Sequence, residues 1–343
     1  MGVVQPHRHA VKYRHNPDKS QMEHPKVIDF QPLFQAVRQA AVLCQRVQEH
    51  YLVSSDKGGH EPVTIADYGA QAILSRAISL YFPDDAILAE EQGGQFMELV
   101  AEDQRKEVIR LLTSILGIPV TQVDVVKWLD YGQNREASRT WVIDPIDGTK
   151  GYISMRNYAI AVGMMVDRKP VGGIIGAPAY PGGAQLFHAQ SGVAYMQPMT
   201  GGAVKRIHSS TRTEAVTLRA LESVEKSHAN HDRMQLVRET AGFGAAELIH
   251  IDSMEKYARI AAGDAELYLR LPRIGSTRPF MSWDHCAGTA LVEAAGGKVT
   301  DVDGSPLNWS TGKTLQNQGI IVSNGAVHDR VIAAVQQILK QDK

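Results

Sequence analysis

Two aspartates spaced three apart, Asp144 and Asp147, lie in the hexapeptide Asp144-Pro145-Ile146-Asp147-Gly148-Thr149. The apolar triplet Trp141-Val142-Ile143 before them reads as a buried strand. Pro145 has no backbone N–H to continue a ladder, so a turn is expected there, with both carboxylates brought to one side. Paired hard oxygen ligands suit Mg²⁺. Gly148 and Thr149 add backbone N–H groups and a hydroxyl that suit phosphate oxygens. Asp, Pro and Gly also compose ordinary turns, which is the competing reading of the hexapeptide.

One pair of carboxylates does not complete a metal site, so other acidic positions gain interest. Glu90-Glu91 follows the short apolar run Ala86–Ala89. Asp284, in Trp283-Asp284-His285-Cys286-Ala287-Gly288, stands where a helix is expected to begin, either as its N-cap or as a metal ligand near the positive helix end. Ala287 and Gly288 would let that helix approach closely. Asp67 lies three residues after Thr64, where it either completes a capping-box-like arrangement or serves as an outer ligand of a further ion. No second cysteine or HxxxH spacing turns His285 and Cys286 into a zinc site.

The elements that must position these groups follow from periodicity. Phe30–Leu52 carries a helical apolar stripe, and a second amphipathic helix starts at Thr64 and ends at Pro83. Residues 93–140 are polar, with one helical stretch at Val108–Leu116. Tyr158–Gly176 reads as a hairpin turning at Asp167–Pro170, and Gln185–Met196 as a strand pair turning at Ser191-Gly192. A boundary is expected near Gly201-Gly202. Beyond it a helix at Ser253–Ala262, a strand at Leu267–Leu271 and a helix at Asp284–Ala295 alternate, giving a mixed α/β second half. The expected organisation is a flexible extension at 1–29, an α+β unit at 30–200 and an α/β unit at 201–343.

Composition excludes several classes. With 36 Lys plus Arg against 37 Asp plus Glu, nothing calls for nucleic acid or an anionic membrane as partner. Two cysteines do not make a disulfide framework. No apolar run has the roughly 18 residues of a membrane span, and the first 28 residues lack a signal core. A cytoplasmic protein, monomeric or weakly dimeric, is expected.

Taken together, Glu90-Glu91, DPIDGT at 144–149 and WDxxAG at 283–288, in this order, resemble the inositol monophosphatase superfamily of metal-dependent, lithium-sensitive phosphatases. Further segments resemble its 3'(2'),5'-bisphosphate nucleotidase branch. They are DPIDGTKGY at 144–152, VTIADYGAQ at 63–71, FPDDAILAEE at 82–91, LESVEKSH at 221–228, DSMEKY at 252–257 and YLRLP at 268–272. The resemblance spans the chain from about residue 30. It implies a layered αβαβα sandwich of two subdomains with the site in the cleft between them. It implies two or three Mg²⁺ ions. One would be held by Glu90, Asp144 and the carbonyl of Ile146, a second by Asp144, Asp147 and Asp284, and a third through water by Asp67. Glu90 and Thr149 would orient and deprotonate the attacking water.

The implied substrate is the nucleotide bisphosphate 3'-phosphoadenosine 5'-phosphate, cleaved to AMP and phosphate, with its sulfated analogue PAPS as a further candidate. Gly148 and Thr149 would meet the reacting phosphate. His228, Ser253, Lys256 and Arg270 match nucleotide-handling positions, with Lys256 and Arg270 suited to the 5'-phosphate and His228 to the base. Taken alone, without the resemblance, Lys256 reads as a solvated surface cation and Arg270 as a structural ion-pair partner. His208 and His231 read as solvated. Competing readings are an inositol polyphosphate 1-phosphatase, a dual activity, and a non-catalytic sensor of metal and nucleotide. The run Pro279-Phe280-Met281 departs from the family pattern next to the expected site.

Overall fold

The computed structural model describes residues 28–52, 61–224, 231–271 and 279–341. A seven-stranded sheet runs in chain order from β1 (Ala86–Ala89) through β2 (Arg139–Asp147), β3 (Ala159–Val166), β4 (Lys169–Ala177), β5 (Gln185–Gln190) and β6 (Val193–Pro198) to β7 (Lys205–Arg206). Only β1 and β2 are parallel; the remaining neighbours are antiparallel, and tight turns close β3–β4 at Asp167-Arg168, where both residues have positive φ, and β5–β6 at Ser191-Gly192. A five-stranded sheet collects β8 (Arg219–Glu222), β9 (Glu247–His250), β10 (Leu267–Arg270), β12 (Lys298–Thr300) and β14 (Ile320–Ser323) in the order β12-β14-β10-β8-β9. A small ribbon pairs β11 (Phe280–Met281) with β13 (Thr314–Leu315).

Strand alternation assigns the layers. On the larger sheet Trp141, Ile143, Val162 and Ile174 pack in one core with α1 (Gln31–Val47) and α2 (Glu61–Tyr81). Their neighbours Val142, Ala161, Ile175 and Phe187 point the other way, into a core shared with α8 (Glu255–Ala261) and α9 (Cys286–Ala294). That central core also takes Leu221, Tyr268, Ile320 and Val322 of the smaller sheet. The opposite face of the smaller sheet, with Ala220, Leu267, Leu269 and Ile321, packs on α7 (His231–Thr240) and α10 (His328–Gln341). The result is an αβαβα sandwich, as the family resemblance implies.

The polar stretch 93–140 contains three helices rather than one: α3 (Gly93–Leu99), α4 (Glu102–Leu116) and α5 (Gln122–Leu129). The first and third are short and bury two residues each, Gly93 with Phe96 and Val125 with Leu129, so their periodicity is too brief to register. The extension expected at 1–29 lies outside the described residues except for its end. There Ile28 packs against the core and its carbonyl accepts a hydrogen bond from Gln190. Among the described residues no helix is long and apolar enough to cross a membrane.

Candidate active site

Asp144 and Asp147 are an odd number of residues apart, so a regular strand would place them on opposite faces. The chain avoids this with a bulge. Asp144 pairs with Ala161 and Asp147 with Ala159, so three steps along β2 match two along β3. The strand therefore continues through Pro145 to Asp147 instead of turning at the proline, and the extra residue brings both carboxylates to one cavity. Gly148 follows at φ +89°, turning the chain into the short helix α6 (Thr149–Ile153). A Cβ at Gly148 would stand 2.8 Å from the Cβ of Ser253, which itself has φ +72°. Tyr152 anchors α6 by donating its hydroxyl to the carbonyl of Cys44 at 2.8 Å.

Glu90 arrives by a different route. Strand β1 lies parallel to β2 with Ala89 beside Ile143, so the next residue, Glu90, emerges beside Asp144 at the carboxyl ends of two parallel strands. Helix α2 holds this turn. The buried Gln71 donates to the Glu91 carbonyl at 2.6 Å and accepts from the Glu91 N–H at 2.8 Å. One turn earlier on the same helix face is Asp67. It lies in the second turn of α2, past any capping-box position, and it does not line the cavity. Burial, then the charges of Glu91 and Glu90, push its carboxyl well above the usual range.

Asp284 comes from the far side of the central layer. The N-cap of α9 is His285, not Asp284, so the capping reading of Asp284 does not hold. Close approach of α9 is secured by glycines: a Cβ at Gly163 would lie 2.5 Å from Cys286 Sγ, and one at Gly288 2.4 Å from the Tyr257 ring. Ligand oxygens of Asp144, Asp147 and Asp284 lie within 4.8 Å of one another.

These groups line a cleft of about 350 Å³ together with Glu90, Ile146, Gly148, Thr149, Ser253, Lys256 and Arg270. Thr149 Oγ1 donates to the Ile146 carbonyl at 3.3 Å. Of the positions named from sequence, His228 lies outside the described residues, Asp67 is off the lining, and the exposed His208 is elsewhere. The structure adds Lys150, Ser223, Asp252, Tyr257, Tyr268 and His285 to the wall. Asp252 is paired by Arg156 (3.1 Å), a partner 96 residues distant that no local pattern reveals.

Electrostatically the cleft has two sides. Burial, then the charges of Glu90, Asp147 and Asp284, push Asp144 well above the carboxylate range. Burial and Asp284 lift Asp147 to about 7, against the opposing pull of Lys256 and an N–H donated by Met254. Asp144 Oδ1 is buried and accepts no hydrogen bond from the described residues. An unpaired carboxylate oxygen among like charges is costly. A hard divalent cation would relieve both the vacancy in hydrogen bonding and the repulsion, so these residues fit Mg²⁺.

The other side is cationic. Lys256 is buried, donates to the Ile251 carbonyl at 3.0 Å, lies over the Tyr268 ring and is pushed down to about 8 by burial. Arg270 stands 3.8 Å from Asp284 and 5.0 Å above the Phe280 ring. The unusual Phe280 thus supports the guanidinium. Arg270 also approaches His285 Nε2 at 3.3 Å. A guanidinium only donates, so Nε2 accepts and the ring proton sits on Nδ1, which donates to Tyr257 Oη at 2.8 Å. Burial and the neighbouring Arg270 and Lys256 charges keep His285 neutral.

The family model for the inositol monophosphatase family matches residues 29–340. The chain belongs to the inositol monophosphatase family. Within the family it groups with the 3'(2'),5'-bisphosphate nucleotidases. It is 33% identical to a Candida albicans protein named 3'(2'),5'-bisphosphate nucleotidase 2, across 94% of this chain and 100% of the relative. It is also 33% identical to the Emericella nidulans 3'(2'),5'-bisphosphate nucleotidase, across 89% and 96%. Solved structures share the fold. The extragenic suppressor protein suhB of Bartonella henselae is 18% identical with a TM-score of 0.61, covering 90% of this chain and 98% of its own. An inositol monophosphatase from Anabaena is 22% identical with a TM-score of 0.55, covering 90% and 96%.

Proposed function

We propose that this family member is a Mg²⁺-dependent phosphatase that removes the 3'-phosphate of 3'-phosphoadenosine 5'-phosphate, leaving AMP. The observation that carries it is the two-sided cleft: three converging carboxylates face Lys256 and Arg270, which suits a substrate with one phosphate to cleave and one to hold. The names of the relatives point to the same substrate class. The sulfated analogue PAPS carries the same 3'-phosphate and is a second candidate.

Asp144, Asp147 and Asp284, with Glu90 and the Ile146 carbonyl, would hold two Mg²⁺ ions, and Asp67 would orient water around a third. Bound there, Mg²⁺ would supply an acidified water and neutralise phosphate charge. Thr149 and Glu90 orient the attacking water, and Glu90 accepts its proton. Gly148 and Thr149 meet the reacting phosphate; a side chain at Gly148 would strike Ser253. Lys256 and Arg270 hold the 5'-phosphate, with Arg270 fixed by His285 and Phe280. Ser253 completes nucleotide binding, together with His228, which the sequence resemblance assigns to the base. The two halves of the cleft belong to subdomains 30–200 and 201–343.

The test is phosphate release from a panel containing 3'-phosphoadenosine 5'-phosphate, PAPS, inositol 1,4-bisphosphate and a 3'-monophosphate, with and without Mg²⁺. The nucleotide bisphosphate should give the highest kcat/KM, and Asp147→Asn should lower it by orders of magnitude while remaining folded. A preference for the inositol ester would replace the substrate assignment. Tight nucleotide binding without phosphate release would replace the enzyme with a sensor.

A further inference from the structure

A second cavity, of about 630 Å³, opens where α1 meets the segment after α6 and the β4–β5 connection. Its volume is in the range of small-molecule sites. Its walls are mainly apolar: Val42, Met155, Pro178 and Met199 contribute, and Val42 and Met155 are 43% and 54% exposed. Met155 has φ +54° because it ends α6, where the N–H of Arg156 donates back to the Gly151 carbonyl at 2.8 Å.

Two guanidinium groups border this apolar space. Arg38 donates Nε–H to the Met199 carbonyl at 2.7 Å, which fixes its plane, and its two terminal nitrogens make no hydrogen bond to the described residues. Arg156, next to Met155, lines the same cavity. One carboxylate, Glu49, is also present and is held by Gln45 at 2.9 Å, and Arg156 is paired with Asp252, so the terminal nitrogens of Arg38 are the donors this wall offers an anion. An apolar chamber with a planar, immobilised guanidinium at its edge matches an apolar or aromatic body that carries one anionic group.

Arg156 connects the cavity to the active cleft. Arg156 reaches past the cavity to Asp252 Oδ2 at 3.1 Å, and its side chain is 40% exposed while that of Asp252 is 6% exposed. Asp252 lines the cleft, accepts a hydrogen bond from Ser223 at 3.2 Å and precedes the strained Ser253. An anion drawn to Arg156 competes with Asp252 for the same guanidinium.

We propose that this cavity is an effector site for a small amphiphilic anion, and that occupancy weakens substrate binding by loosening the Arg156–Asp252 pair. The coupling half rests on the phosphatase reading above; the binding half does not. By linkage, substrate must weaken effector binding by the same factor that the effector weakens substrate binding.

The probe is 1-anilinonaphthalene-8-sulfonate, an aromatic body with one sulfonate, added to the full-length Mg²⁺-loaded protein and followed by fluorescence. One saturable site is expected. Val42→Glu, an exposed position that places a carboxylate in the chamber, and Arg38→Gln should each raise the probe Kd about tenfold, the loss of one charge-assisted contact. Neither should change kcat/KM without probe. Saturating probe should raise the KM for the nucleotide several-fold in wild type and leave it unchanged in Val42→Glu.

An unchanged probe Kd in both variants would overturn the site. Probe binding lost in the variants with KM indifferent to probe in wild type would overturn the coupling. If wild type binds no probe and sediments as a dimer that Val42→Glu dissociates, the apolar wall belongs to a second copy and the effector proposal fails. Because fluorescence reports binding without turnover, absence of phosphatase activity would count against the proposed function and not against the cavity.

Discussion

At Asp144 and Asp147, burial and like charge act in the same direction, and both favour a bound proton over a bare carboxylate. An unfolded aspartate titrates near roughly 3.9, whereas Asp147 in the folded chain is lifted to about 7. Between those values the folded chain keeps a proton that the unfolded chain has released. The contribution to stability is therefore fully present below the unfolded value and is lost as pH rises through about 7. With a chelator present, the melting temperature of the wild type should fall from pH 5 to pH 8. Asp147→Asn, which keeps an oxygen for the Met254 N–H but cannot ionise, should fall less. Millimolar Mg²⁺ should reverse the wild-type trend, because on the proposed reading a cation held by the ionised cluster would stabilise the folded chain by mass action. Differential scanning fluorimetry at the two pH values checks this; identical slopes for wild type and variant would show that the cluster is not strained by its own charge.

Individual elements differ in how much of their placement the sequence reveals. Strand β1, the hairpins β3–β4 and β5–β6, and the long stripe of α1 follow from local alternation and turn residues, and they form where periodicity places them. The site is less local. Its acidic motifs are contiguous and recognisable, but the bulge that aligns Asp144 with Asp147 is a property of the β2–β3 register, and a proline alone suggests a turn instead. Likewise Asp252, Tyr257 and His285 acquire meaning only when α8 meets α9. That contact depends on Gly288, whose missing side chain leaves room for the Tyr257 ring. Gly288→Ala puts a methyl group 2.4 Å from that ring. Overpacking of this kind costs about 1–3 kcal/mol. The helices must separate, and Tyr257 then releases His285, so Gly288→Ala should lower both the urea midpoint and kcat/KM. A midpoint equal to wild type would mean that the interface has slack that these contacts do not show.

Across the whole molecule, the sandwich assigns opposite charges to opposite walls of one cleft. The larger sheet delivers Glu90, Asp144 and Asp147; the smaller sheet and the central helix layer deliver Arg270 and Lys256. Asp284 on the second wall already pairs with Arg270 at 3.8 Å, which leaves Lys256 as the cation most directly available to a second substrate phosphate. The cost of burying it is evident in the downward shift to about 8, so the site holds a desolvated ammonium there at the expense of its own ionisation. A charge-assisted hydrogen bond to such a group contributes roughly 1.5–3 kcal/mol, or about 10–100-fold in affinity. Lys256→Met preserves the apolar stem over Tyr268 and removes the charge. It should raise the KM for a 3',5'-bisphosphate by about that factor, leave the KM for the corresponding 3'-monophosphate nearly unchanged, and thereby erase discrimination between the two. The same logic fixes the pH dependence: in wild type the advantage of the bisphosphate should decline as pH rises through about 8, where Lys256 loses its proton, and the monophosphate should show no such decline. Steady-state kinetics on the substrate pair separates this from a structural role. An equal loss on both substrates would place Lys256 with the fold, or with Asp147, rather than with the second phosphate.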